Sequence, residues 1–364
     1  MTAHYFLTGG TGAVGSAFLQ RMAVGDARIT LLLRAATPSA AQARMVHLLA
    51  QYRINAAPDR IHAVAGDLQQ PRLGLSAADH AHIVGHCTHL VHCAGNVRMN
   101  LPLAAARDET LGMTRRILSL RDAMGGRAPL AYVSTVGVAG HMTGEVPENW
   151  LTRPRVFRNT YEAAKAEAEQ LVRAAGDARR PITVIRPSMV VGDSRSGHAG
   201  TFQVFYHLCE FLSGARTMGW IPKVGDMRLD IIPCDYVAAV LETALCTAPP
   251  TPPILHACAG PAGAVPLTHL IRRVRSRFAA HGRRLPPLRQ VPLPLYQGLL
   301  RLARPMVTRR HRRRLDALPF FFAYLKERQW FANSRTLAHF ASQSLAPPHA
   351  DSYLDRVLDY YLGR

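Results

Sequence analysis

Two residues spaced for chemistry are Tyr161 and Lys165, which stand i and i+4 in the strongly helical segment Tyr161-Glu162-Ala163-Ala164-Lys165-Ala166-Glu167-Ala168-Glu169. On a helix they share a face. An ammonium beside a phenol favours phenolate, so the spacing predicts a tyrosine pKa drawn toward working pH and a proton exchangeable with a carbonyl oxygen. Upstream, Leu130-Ala131-Tyr132-Val133-Ser134-Thr135 reads as a strand ending in two hydroxyls. A Y-x-x-x-K alone is common on helix surfaces. Its position after Ser134-Thr135 and downstream of a glycine-rich turn sets it apart.

That turn is Thr8-Gly9-Gly10-Thr11-Gly12-Ala13-Val14-Gly15, after the apolar run Tyr5-Phe6-Leu7. Gly10, Gly12 and Gly15 fit G-x-G-x-x-G, and Gly9, Gly12 and Gly15 fit G-x-x-G-x-x-G. Residues without a Cβ let the backbone bend tightly, approach a pyrophosphate and pack the helix on the strand. The phosphates then meet the helix's free amides and positive end. Dinucleotide binding is the expected consequence.

The elements that hold these residues follow in chain order. Arg28-Ile29-Thr30-Leu31-Leu32-Leu33-Arg34 is a second strand ending in a cation, where NAD binding calls for an acid. Arg34, with Arg44 from the next helix, suits the 2′-phosphate of NADP; the alternative is a solvated arginine. Ile61 to Leu68 is a third strand, from which Asp67 reaches adenine with Leu68 on the ring, or else Asp67 caps the next loop. His89 to Gly95 is a fourth, its small Ala94-Gly95 end leaving room for a cofactor. Helical segments near 16–25, 40–51, 76–84 and 103–124 alternate with these strands, which predicts an α/β fold with a doubly wound parallel sheet.

At this point the chain resembles the extended short-chain dehydrogenase/reductase superfamily. Within it, the closest likeness is to the thioester reductase and fatty acyl-CoA reductase (male-sterility type) branch. The likeness is carried by Thr8 to Gly15, Leu33-Arg34, Gly66-Asp67-Leu68, Val133-Ser134-Thr135, and Tyr161 with Lys165. It continues through Ile185-Arg186-Pro187-Ser188, Gly192-Asp193-Ser194-Arg195-Ser196-Gly197 and Asp230-Ile231-Ile232-Pro233-Cys234-Asp235-Tyr236-Val237, and thins beyond about residue 260. The resemblance implies that Thr135, five residues before Gly140, holds the substrate carbonyl with Ser134 beside it. Tyr161 would be the acid, Lys165 would also hold the nicotinamide ribose, and Pro187 and Ser188 would flank the nicotinamide. Gly9, Thr11, Gly12, Ala13, Val14 and Gly15 would cradle the pyrophosphate. In one departure from the family pattern, Glu109 precedes Gly112-Met113 where asparagine is usual.

The reading is a Rossmann domain over 1–190 and 228–260, with a smaller substrate-covering region over 191–227 and 261–364. Asp235 is expected to cap a helix over Tyr236 to Leu245. The expected activity is NADPH-dependent reduction of an acyl thioester, on coenzyme A or a carrier protein, to an aldehyde or onward to an alcohol. The alternative is a dehydrogenase or epimerase of a sugar nucleotide, sterol or related alcohol. A third reading, a protein that binds NADP without turnover, sits poorly with an intact Ser134, Thr135, Tyr161 and Lys165.

Composition bounds the rest. The formal charge is +20, yet only Lys165, Lys223 and Lys326 are lysines, so the excess is nearly all arginine. No zinc spacing or aromatic-basic RNA motif is present, so nucleic acid is not expected. The basic stretch within 301–314 reads either as a peripheral membrane or acidic-carrier contact or as a solvated run. Phe320-Phe321-Phe322, Tyr324, Trp330 and Phe331 read as core or as a lipophilic wall. Six cysteines without C-x-x-C suggest buried thiols in a reducing, cytoplasmic setting. No histidine pairs with another ligand type at metal spacing, so no metal is expected.

Overall fold

The computed structural model describes residues 2–57, 59–126, 128–176, 182–246, 252–303 and 328–364. Strands β1 (His4–Thr8), β2 (Arg28–Leu33), β3 (Ile61–Ala65), β4 (His89–His92) and β5 (Leu130–Val133) are joined by the strands Ile182–Pro187 and Ile254–Ala257 in one sheet. Its order from one edge is Ile254–Ala257, Ile182–Pro187, β5, β4, β1, β2, β3, every pairing parallel. Such strands are covered on both faces, which is why they read as unbroken apolar runs.

Side chains alternate between the faces. Tyr5, Leu7, Ile29 and Leu31 join one core with α1 (Ala13–Met22), α2 (Pro38–Gln51) and α7 (Cys234–Cys246). Phe6, Leu90, Leu130 and Tyr132 join the other with α3 (Ala77–His86), α4 (Leu103–Ala123) and α5 (Thr160–Ala175). The chain winds outward from β1 to β3, then crosses over to β4. The crevice at the β1/β4 switch point is where such sheets take their ligands.

A third core lies outside the sheet, built on α6 (Val204–Leu212) and the helices Leu267–Ala280 and Leu354–Leu362. The last two are laced by ion pairs, Arg273 to Asp355 at 3.1 Å and Arg277 to Asp359 at 2.6 Å. Of residues 228–260, Ile254–Ala257 lies in the main sheet, whereas Ile231–Pro233 pairs outside it with Met189–Val191.

Several expectations change here. Asp235 does not cap its helix: α7 starts at Cys234, and the Asp235 carboxylate instead accepts from Ser194, at 2.9 Å from its amide and 2.6 Å from its hydroxyl. Trp330 is 43% exposed and so is no core residue, because its strand Gln329–Phe331 lies at the surface against Gly144–Val146. Cys246 is an exposed thiol, while Cys87, Cys209, Cys234 and Cys258 are buried. The basic run Arg309 to Arg314, the side chains of 301–314 in general, Phe320 to Phe322 and Tyr324 lie outside the described residues.

Candidate active site

Gly9 adopts φ +74°, the left-handed region, and a Cβ there would stand 2.4 Å from the Ala94 amide nitrogen. The turn therefore lies directly on the end of β4, bringing Gly9 and Ala94 together. A Cβ on Gly15 would stand 2.2 Å from the Gly9 carbonyl oxygen, so α1 sits tight on the turn. Gly12 precedes α1, which has no side-chain cap and no acid in its first turn. This leaves the helix start suited to an anion. Gly10 has a different task, packing on the Leu31 side chain.

At the far side of the crevice, Arg34 is 74% exposed and lies 3.5 Å from Asp67. Arg44 bends back to donate to the Arg34 carbonyl oxygen. The other Asp67 oxygen accepts from the Gln69 amide at 2.9 Å, which is the loop-capping role. Leu68 packs partly buried beside the second core, its carbonyl held by Arg116 at 3.2 Å.

The first turn of α5 is fixed by a reciprocal cap. Asn159 accepts from the Glu162 amide at 2.9 Å, and the buried Glu162 carboxylate accepts from the Arg158 amide at 3.0 Å. Thr160 ties the same turn to Leu101 at 2.9 Å. Tyr161 is thereby set opposite Thr135, whose side chain is its hydrogen-bonding partner. Thr135 itself caps the short turn Val136–Ala139 by accepting from the Gly137 amide at 3.1 Å.

Lys165 is buried against the same strand end. Its Nζ donates to the Val133 carbonyl oxygen at 3.0 Å, lies 5.1 Å from the Tyr132 ring centre, and abuts Gly95, where a Cβ would stand 3.4 Å away. Burial draws its pKa down to about 8, against the pull of Glu169 and Cys93. The expected depression of the tyrosine is not found. Burial pushes the Tyr161 phenol up to about 12, only partly offset by Thr135. The physical reason is desolvation of the phenol, with the Glu162 carboxylate adding to it, while the Lys165 ammonium donates to Val133.

Two further hydroxyls complete the site. Ser134 and Ser188 are buried, and neither oxygen has a partner with regular hydrogen-bond geometry. They end neighbouring strands, joined where the Ser134 amide donates to Ile185 at 2.7 Å. A glycine cradle that a Cβ would fill and the orphaned Ser134 hydroxyl fit a bound dinucleotide. Glu109, at the position where the family pattern differs, accepts from the Asn96 side chain at 2.7 Å.

Sequence reasoning passed over the capping pair Asn159 and Glu162, although N-x-x-E before a helix is a readable signal. It also passed over the link between Ser194 and Asp235, which joins two motifs 41 residues apart. A separate cleft of about 340 Å³ lies between α1, the end of α2 and the 190–203 loop, lined by Ser16, Gln20, Tyr52, Val190 and His198. It touches Ala13 of the turn but not Thr135, Tyr161 or Lys165.

Residues 7–241 match the family described as Male sterility protein. The chain belongs to this family. This male sterility family protein is an NAD(P)-dependent oxidoreductase of the extended short-chain dehydrogenase/reductase type. It is 30% identical over 302 residues to an isonitrile lipopeptide synthase of Streptomyces coeruleorubidus, covering 81% of this chain and 20% of that one. The chain thus spans about a fifth to a quarter of the length of the first curated relatives it matches. Among solved structures, the terminal R domain from the myxalamid PKS-NRPS biosynthetic pathway superposes with a TM-score of 0.82 and 26% identity, covering 100% of this chain and 91% of that one. The dTDP-glucose 4,6-dehydratase of Bacillus anthracis superposes at 0.66 with 15% identity, covering 100% and 97%, and shares the fold alone.

Proposed function

We propose that the protein is an NADPH-dependent reductase of an acyl thioester carried on a phosphopantetheine arm, of a carrier protein or of coenzyme A, and releases an aldehyde. The observation that carries this reading is the full-length likeness to a terminal R domain, combined with a Thr135–Tyr161–Lys165 set beside a dinucleotide turn. Residues 191–227 and 261–364 would then cover the acyl group, and Arg34, with Arg44 behind it, would meet the 2′-phosphate.

NADPH, when bound, supplies a hydride to the thioester carbon. Thr135 Oγ1 and the Tyr161 hydroxyl hold the carbonyl oxygen as negative charge develops there, and fixed donors of this kind are worth a few kcal/mol. A phenol held near 12 is protonated at neutral pH and is therefore an acid ready to donate. Tyr161 gives its proton to that oxygen, and Lys165, anchored on Val133, holds the ribose and the local positive charge. Loss of the thiol from the resulting hemithioacetal breaks the C–S bond and frees the aldehyde.

The test is a panel of acyl thioesters with NADPH and NADH, following cofactor absorbance, free thiol and separated aldehyde and alcohol. Thioester-dependent oxidation with matching thiol release is expected. Oxidation without thiol release, or turnover of a sugar nucleotide instead, would overturn the reading.

A further inference from the structure

The stretch Asp230 to Val237 contributes no group to the chemistry above, yet it opens with a carboxylate taken almost wholly out of water. Asp230 is 9% exposed, and its two oxygens accept separately from the Ala259 amide at 2.8 Å and the Gly260 amide at 2.9 Å. Its own carbonyl oxygen accepts from the Met189 amide at 3.2 Å, and the Ser188 hydroxyl adjoins its carboxylate. One residue therefore grips the chain just past two adjacent strands of the sheet, Ile182–Pro187 and the edge strand Ile254–Ala257. Among the described residues no cation pairs with it; the two amides and the hydroxyl stabilise its charge.

We propose that Asp230 is a positioning residue for the nicotinamide end of the dinucleotide, clamping residues 258–260 and Ser188 into one wall so that the Ser188 hydroxyl faces the ring. The inference rests on the function proposed above, in which Ser188 flanks the nicotinamide. A carboxylate suits the task because it accepts two amide protons at once. An asparagine of the same shape accepts one and turns an N–H₂ toward the other amide.

The clamp carries a proton-dependent signature. Burial raises the Asp230 pKa to about 6, against the lowering effect of Ser188 and the two amides. The titratable groups around it are the Tyr236 phenol of α7, the Tyr353 phenol ahead of the last helix, and the Cys258 thiol. All three are pushed up by burial and stay neutral between about pH 5 and 8. Glu148 acts on Tyr236 and Cys258, and Asp235 acts on Tyr353. Asp230 is thus the group that changes charge in this wall near pH 6.

The experiment is equilibrium binding of NADP and of adenosine 2′,5′-bisphosphate, which reaches only the glycine turn and the Arg34 side, to wild type, Asp230→Asn and Ser188→Ala. At pH 8, Asp230→Asn is expected to weaken NADP about tenfold, the size of one lost charge-assisted hydrogen bond, and to leave the fragment unchanged. The gap between wild type and Asp230→Asn should narrow below pH 6, where protonation disarms the wild-type clamp too. Ser188→Ala, which leaves the clamp's amide contacts intact, should also weaken NADP alone and decides the matter if Asp230→Asn does not fold. Equal loss for NADP and fragment, no loss for either variant, or a gap independent of pH would overturn the inference. Because binding is read without thioester turnover, an inactive wild type would sink the proposed function while leaving this comparison intact.

Discussion

A methyl group on Gly9 would press against the amide nitrogen of Ala94, 2.4 Å away, and the residue's φ of +74° already excludes most side chains. Gly9→Ala should therefore cost about 1–2 kcal/mol in backbone strain alone, with the clash added, and pry the turn from β4. Gly12→Ala meets only the Gly9 carbonyl oxygen at 3.4 Å. It should melt near the wild-type temperature yet lose dinucleotide affinity, if the turn holds the pyrophosphate as proposed. Thermal melts paired with fluorescence titration separate the two.

Tyr161→Phe should lower kcat by about 10²–10⁴-fold, the worth of a positioned acid, with dinucleotide affinity nearly unchanged. Steady-state turnover beside equilibrium binding checks both halves. Full activity would remove Tyr161 from the role of acid.

Arg34→Ala should cut the preference for NADPH over NADH by about 10–100-fold, matching a hydrogen-bonded charge pair of about 1.5–3 kcal/mol. The ratio of kcat/KM values for the two cofactors is the readout. A wild-type preference for NADH would overturn the role given to Arg34.

Lys165 titrates near 8 in the fold against 10.5 as its ordinary value. Between those values the unfolded chain holds a proton that the folded chain has released, so stability contributed by this group rises with pH from about 8 to about 10.5. Activity that needs the ammonium should fall over the same rise. Lys165→Met should flatten the stability slope, as measured by urea midpoints across that window.

His92 and His256 are buried neutral, each drawn down to about 3, by burial first and then by Lys165 and Arg186 respectively. Unfolded histidines take protons near 6.5, so stability is present above that value and is lost as pH falls from about 6.5 toward 3. Replacing either by glutamine should shallow the acid limb of the denaturation midpoint.

The sheet, its winding and the glycine turn were legible because strands covered on both faces advertise themselves as apolar runs and the turn's chemistry admits few residues. That Tyr161 and Lys165 share one face of a helix was legible through spacing, and that Thr135 ends the strand beside them through the apolar run before it. The state of the phenol was not, since proximity along a helix says nothing of burial or of the Val133 carbonyl oxygen that engages the lysine. Asp235 misled for a similar reason: an acid at a helix start caps it only when no better donor is near, and Ser194 arrives from elsewhere in the chain. Asp230 was seen within a motif, but its partners Ala259 and Gly260 lie 29 and 30 residues on.

The outer strand Ile254–Ala257 is sealed by residues far along the chain. Buried Arg186 pairs with Glu169 at 2.6 Å and touches His256, which is bonded to Thr336 and Ala332 while Glu148 gathers the Thr336 and Arg335 amides. Anyone trimming or grafting this reductase as a module must carry the 332–336 stretch along with the nucleotide-binding half. A graft that omits it would leave an ionised pair open to water and a bare strand edge ready to recruit neighbouring molecules into aggregates.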